Sequence, residues 1–182
     1  MVESFLVPLC RLDGLTRLER LYIAGGRTRQ KYAQVVRLRV GARGLTVVNL
    51  HLDAAGNTGH RRAQVDSVAA CLAERQLSDA FVVCGDTNAF TWRRWRHAQV
   101  LGEVLESLSV LCGAVLPSGP THHFGRQREP LWTHRLATAL GTLGVDWPLQ
   151  YDIVCTNLPA VAHGVVSTPE SDHDLVWASL TL

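Results

Sequence analysis

Two stretches decide the fold. The first is Leu45-Thr46-Val47-Val48-Asn49-Leu50-His51-Leu52, and the second is Ala80-Phe81-Val82-Val83-Cys84-Gly85-Asp86-Thr87-Asn88. Each is an apolar run that stops at polar side chains. Leu45 to Leu50 reads as a strand that pairs, through a tight turn at Gly41 to Gly44, with Gln34 to Val40. In that partner Val36, Leu38 and Val40 alternate with Arg37 and Arg39, the period of a half-buried strand. Asn49 and His51 share one face of their strand, and Leu50 and Leu52 share the other. Ala80 to Cys84 is continuously apolar, which marks a buried strand. Gly85 then lets the chain turn directly.

Between the two stretches lie a loop, Asp53 to Gly59, and a predicted helix from His60 to Leu77. That helix carries Val65, Val68, Ala69 and Leu72 on one stripe, with Arg61, Arg62, Asp66 and Arg75 outside it. Farther on, Thr91 to His97 is rich in Arg and Trp. His97 to Leu111 is helical, with Val100, Leu101, Val104, Leu105 and Leu108 to be buried. Leu116 to Arg128 reads as a long loop, Leu131 to Leu143 as a short helix closed by Gly144, and Asp152 to Thr156 as a strand. Leu158 to Gly164 reads as a connection and Leu175 to Leu182 as the last strand. Strands alternating with helices argue a layered α/β domain.

The chain has 182 residues, which suits one domain over 1–182 with a real core. Apolar content of 47% and charged content of 19% are those of an ordinary globular protein. A net charge of +2 neither requires nor excludes a nucleic-acid partner. Lys31 is the only lysine. Arginine suits bidentate phosphate contacts, although Arg-rich, Lys-poor usage is also what a GC-rich genome produces. The five cysteines form no CxxC pair, which points to free thiols in a reducing compartment. No apolar stretch approaches the ~20 residues that span a bilayer, and Met1 to Leu9 lacks the plan of a signal peptide. The expected location is the cytoplasm.

Four polar endings recur in order: Asn49-Leu50-His51-Leu52, Gly85-Asp86-Thr87-Asn88, Tyr151-Asp152-Ile153-Val154 and Ser171-Asp172-His173. Phosphoester hydrolysis needs positive charge near phosphate, a group that orients or deprotonates water, and donors for the transition state. Asp86, Asn88, Asp152 and Asp172 offer oxygens, and His51 and His173 offer imidazoles. Such an inventory suits Mg²⁺ or Mn²⁺ better than a structural zinc site. Asp86 and Asn88, two apart on extended chain, point the same way. Each motif alone also suits a structural role: a backbone-bonded turn, a solvated acidic turn, or a strand-end histidine.

In order and wording the four motifs resemble the endonuclease/exonuclease/phosphatase superfamily, over roughly Leu6 to Leu182. The resemblance implies a DNase I-like four-layer α/β sandwich and a divalent-metal-dependent phosphoester hydrolase of nuclease, phosphodiesterase or phosphatase type. It implies catalytic roles for His51, Asp86, Asn88, Asp152 and His173, with Asp86 orienting water and Asp152 pairing with His173. It implies Asp172, Asp86 and Asn88 as metal ligands. Members of that family begin with a strand bearing an Asn and another ending in Gln-Glu, whose Glu is a principal metal ligand. Here only Glu3, Asp13 and Glu19 are early acids. The expectation is an N-terminally truncated version of the fold, with Phe5 to Leu9 and Arg20-Leu21 in the middle of its first sheet. Activity would then be weak or absent. The alternative is a degenerate relative that binds nucleic acid or a protein partner.

The substrate is read only as a phosphoester, with nucleic acid among the candidates. Trp92-Arg93-Arg94-Trp95-Arg96 could stack bases and bind phosphates, or pack the following helix. His122 and His123 could meet a substrate phosphate or a second metal, or belong to a packed loop.

Overall fold

In the computed structural model the described residues are 3–17, 19, 29–75, 80–91, 94–116, 119–123, 139, 143, 148–168 and 170–182. The elements run β1 (Glu3–Pro8), β2 (Tyr32–Val40), β3 (Arg43–His51), α1 (Thr58–Glu74), β4 (Ala80–Asp86), a 3₁₀ turn (Arg94–Arg96) and α2 (His97–Cys112). They continue with β5 (Ala114–Val115), β6 (His122–His123), β7 (Pro148–Leu149), β8 (Asp152–Thr156), β9 (Ala160–Val166) and β10 (Leu175–Leu180).

The main sheet has the order β1-β2-β3-β4-β8-β5. β2 and β3 form the expected antiparallel hairpin, whose last pair before the turn is Val40 with Arg43. β3 and β4 are parallel, which requires a crossover, and α1 supplies it. Asn57 caps α1 by accepting from the His60 amide at 2.9 Å. The apolar stripes of α1 (Val65, Val68, Leu72) and α2 (Val104, Leu105, Leu108) pack against Val35, Val48, Leu50, Val83, Ile153 and Cys155 of the sheet in one core. Both helices therefore cover the same face. β9 and β10 form a separate two-stranded sheet that touches β8.

Several expectations need correction. Ala160 to Val166 is strand β9 rather than a connection. Its side chains are mostly exposed, so no buried alternation announced it. In β2 the buried residues are Ala33 and Val35, because the helices lie on that face. Val36 and Leu38 are only half-buried on the other, and Val40 is exposed. β1 lies at the edge of the sheet and not in its middle, paired with β2 alone among the described residues. Arg61 is buried rather than outside the stripe: its guanidinium donates to the backbone oxygens of Asp53 (3.0 Å) and Ala54 (2.8 Å). Those carbonyls lie in the loop after β3, and the buried guanidinium supplies their donors. The loop from Leu116 contains the two-residue strand β6.

Other expectations lie outside the described residues. They are nearly all of the helix from Leu131 to Leu143 with Gly144, Arg20-Leu21, Trp92-Arg93, Phe124 to Arg128 and the end of the first helix at Leu77. No described helix is long and apolar enough to cross a membrane.

Candidate active site

The face opposite the helices collects the polar strand endings. In register, His51 of β3 stands beside Asp86 of β4, and Asp86 stands beside Asp152 of β8. Alternation then decides orientation. Leu50, Val83 and Ile153 point under the helices, so His51, Asp86 and Asp152 point away from them. Three consecutive strands thus present an imidazole and two carboxylates side by side.

Gly85 makes this possible. Its φ is +127°, and a Cβ there would lie 2.0 Å from the backbone oxygen of Leu50 on the neighbouring strand. Just beyond, Asn88 has φ +46°, the one positive φ at a non-glycine among the described residues. Asparagine tolerates that conformation. The turn is closed by Asp86, whose Oδ1 accepts from the Asn88 amide at 2.7 Å and whose Oδ2 accepts from Asn88 Nδ2 at 3.1 Å. Nδ2 also donates to the Leu52 oxygen at 3.0 Å. Asn88 therefore orients the Asp86 carboxylate and ties it to the end of β3.

His173 reaches the same face from the segment before β10. Its Nδ1 lies 2.7 Å from Asp152 Oδ2, the pairing that the resemblance implies. Thr121 Oγ1 holds the start of β8 by accepting from the amides of Tyr151 (3.0 Å) and Asp152 (2.9 Å). An isolated bridge joins His122 to His173, and the His123 amide donates to the Asp172 oxygen at 2.8 Å. The His122 ring stacks on Tyr151 (centroids 4.6 Å apart) and meets His173 edge-on at 4.8 Å. Its Nε2 is 3.7 Å from Asp172 Oδ2.

The electrostatics sort these groups. Hydrogen bonding to Asp152 raises the His173 imidazole above its usual range and favours its protonated form. Desolvation by the surrounding walls, and then the Lys31 ammonium, lower that of His51. Burial raises the Asp86 carboxyl. The His122 imidazole lowers the Asp172 carboxyl. Burial also pushes the Tyr151 phenol up.

The structure brings His51, Asp86, Asn88, Asp152 and His173 to one end of the sheet. It places Asp172 with His122 and His173, while Asp86 and Asn88 bond to each other. Two contributors had no clear sequence signal. Thr121 acts through backbone contacts with a distant strand. Lys31 stands out only as the sole lysine; its Nζ donates to the Leu52 oxygen at 2.8 Å and lies 4.0 Å from Asp53 Oδ1. Two of the three early acids are engaged elsewhere: Glu3 pairs with Arg37 and Arg75, and Glu19 accepts from Thr16 and from the Gly56 amide.

No family model and no curated protein matches the sequence. Solved structures do match in fold. The endonuclease/exonuclease/phosphatase from Bacteroides vulgatus aligns with a TM-score of 0.58 at 15% identity, over 99% of this chain and 65% of that one. TDP2 of D. rerio, complexed with a single-stranded DNA product, aligns with a TM-score of 0.57 at 12% identity, over 100% and 69%. The inositol polyphosphate 5-phosphatase domain of SPsynaptojanin, complexed with inositol (1,4)-bisphosphate and calcium ion, aligns with a TM-score of 0.54 at 20% identity, over 99% and 54%. The chain thus spans roughly half to two thirds of the length of these structures. It has the α/β sandwich fold of the endonuclease/exonuclease/phosphatase (DNase I-like) proteins.

Proposed function

We propose that this chain is a divalent-metal-dependent phosphoester hydrolase acting in the cytoplasm, with diesters, nucleic acid among them, ahead of monoesters. The observation that supports this most is the in-register alignment of His51, Asp86 and Asp152 with His173 hydrogen-bonded to Asp152. Asp86, fixed by Asn88, accepts a proton from water as that water forms a new bond to phosphorus. Its raised proton affinity suits a base. Protonated His173 and neutral His51 donate to phosphate oxygens as charge builds on them, and the bond to the leaving oxygen breaks.

The donor set fits a hard ion in part. Asp172, with Asp86 and Asn88, would hold Mg²⁺ or Mn²⁺, which would offset phosphate charge. The calcium-bound phosphatase that shares the fold supports a divalent cation in this class. The cytoplasmic reading is supported by five cysteines in free form.

A second reading, a degenerate relative that binds nucleic acid or a protein partner, is favoured by the engagement of Glu3 and Glu19 away from the site. Hydrolysis of bis(p-nitrophenyl) phosphate with Mg²⁺ or Mn²⁺ decides between them. The hydrolase reading expects turnover that falls about 100-fold or more in His173→Ala. Absence of turnover, or equal turnover in the variant, favours the second.

A further inference from the structure

Among the described His, Cys, Asp and Glu side chains, one group converges closely enough to hold an ion: His122, Asp172 and His173. One ligating atom from each lies within 4.8 Å of the others. The set contains two imidazoles and one carboxylate. Imidazole nitrogen suits Zn²⁺ and its first-row neighbours, whereas Mg²⁺ takes oxygens and keeps its waters. The donor chemistry therefore differs from the oxygen set of Asp172, Asp86 and Asn88.

The surroundings are those of a ligand set. His173 commits Nδ1 to Asp152 and so leaves Nε2 as its remaining nitrogen for a ligand. A carboxylate behind an imidazole is what orients metal-ligating histidines. His122, only 3% exposed, is clamped between the Tyr151 ring and the His173 edge. The backbone bridge from His122 to His173 and the His123 amide on Asp172 hold all three donors on paired chain. Donors about 2.0–2.1 Å from a tetrahedral ion stand about 3.3 Å apart. His122 Nε2 and Asp172 Oδ2 are already 3.7 Å apart, and the three donors lie within 4.8 Å of one another, so loading draws them together by up to about 1.5 Å.

We propose that His122, Asp172 and His173 form a site for a divalent cation of the Zn²⁺ class, a borderline metal held by two nitrogens and one oxygen. The inference goes beyond the hydrolase reading: this cation takes Asp172 and His173, which that reading gives to Mg²⁺ and to proton donation, so the two occupancies exclude each other. Its binding does not rest on that reading. In the loaded site His173 ligates instead of donating, and His51 remains as the free imidazole donor.

The test is equilibrium dialysis of the substrate-free full chain against Zn²⁺ and, separately, Mg²⁺, with metal content read by elemental analysis and folding checked by circular dichroism. About one Zn²⁺ per chain should bind, at least about tenfold more tightly than Mg²⁺. Asp172→Asn and His122→Gln should each weaken Zn²⁺ by about tenfold or more, while Asp86→Asn leaves it unchanged. Asp172 is partly exposed, so its variant remains informative should the His122 variant misfold. No Zn²⁺ binding, wild-type affinity in Asp172→Asn, or an equal loss in Asp86→Asn would overturn the site. The dialysis contains no phosphoester, so its failure and a failure of hydrolysis are separate results.

Discussion

Gly85 is the position where the backbone and the site constrain each other most. The residue opposite it in register is Leu50, whose carbonyl stands where a Cβ would go. That neighbour is paired strand backbone and cannot swing aside as a flexible side chain would. The positive φ adds strain for any L side chain. Gly85→Ala is expected to destabilise the fold by about 3 kcal/mol or more, read as a shift in urea midpoint. A change below about 1 kcal/mol would mean that β3 and β4 part easily here. The sequence pointed to Gly85 for its turn, and the structure adds the close approach to Leu50. Asp86 was legible for a related reason: a carboxylate that halts a buried run must face something other than the core. Arg61 was not legible, because its burial depends on loop carbonyls that no local pattern reveals.

At the scale of elements, the helical stripes were readable because burial follows the 3.6-residue period. All five residues expected on the apolar stripe of α2 are buried. Leu105 is 1% exposed and Val110 is 84% exposed in the same helix. Leu105→Ala should cost about 2–5 kcal/mol through lost burial and the cavity left behind. Val110→Ala should stay within about 0.5 kcal/mol. Chemical denaturation of both variants checks this, and similar losses would mean that α2 does not pack by this stripe. β9 was misread because the same logic fails for an exposed strand. Ala160-Val161-Ala162-His163-Gly164-Val165-Val166 alternates neither cleanly nor against a core, and it is a strand because β10 pairs with it. His122 lies between these cases. The histidine doublet was visible, but its bridge to His173 and its stack on Tyr151 arise only when β6 meets β7 and the segment before β10.

At the scale of the whole molecule, the site couples folding to pH. His173 and Asp152 are distant in sequence and meet only in the folded chain, so the raised imidazole proton affinity exists only there. A group whose folded pKa lies above its unfolded value contributes stability that is fully present below the unfolded value. That contribution is lost as pH rises through the folded value. For His173 the loss therefore begins near the ordinary histidine pKa of about 6.5 and is complete above the raised one. Asp152→Asn removes the first cause of the shift. The wild type should exceed this variant in thermal stability most at about pH 6, where the imidazole is protonated. The gap should narrow as pH climbs. His51 runs the other way: its lowered folded pKa contributes stability above the ordinary value and loses it in acid, in both proteins. Comparing melting temperatures of wild type and variant across pH therefore isolates the His173 contribution on the alkaline side. A gap that stays constant from pH 6 to pH 9 would show that Asp152 supports the fold by packing alone. The proposed role of His173 as a protonated donor would then lose its electrostatic basis.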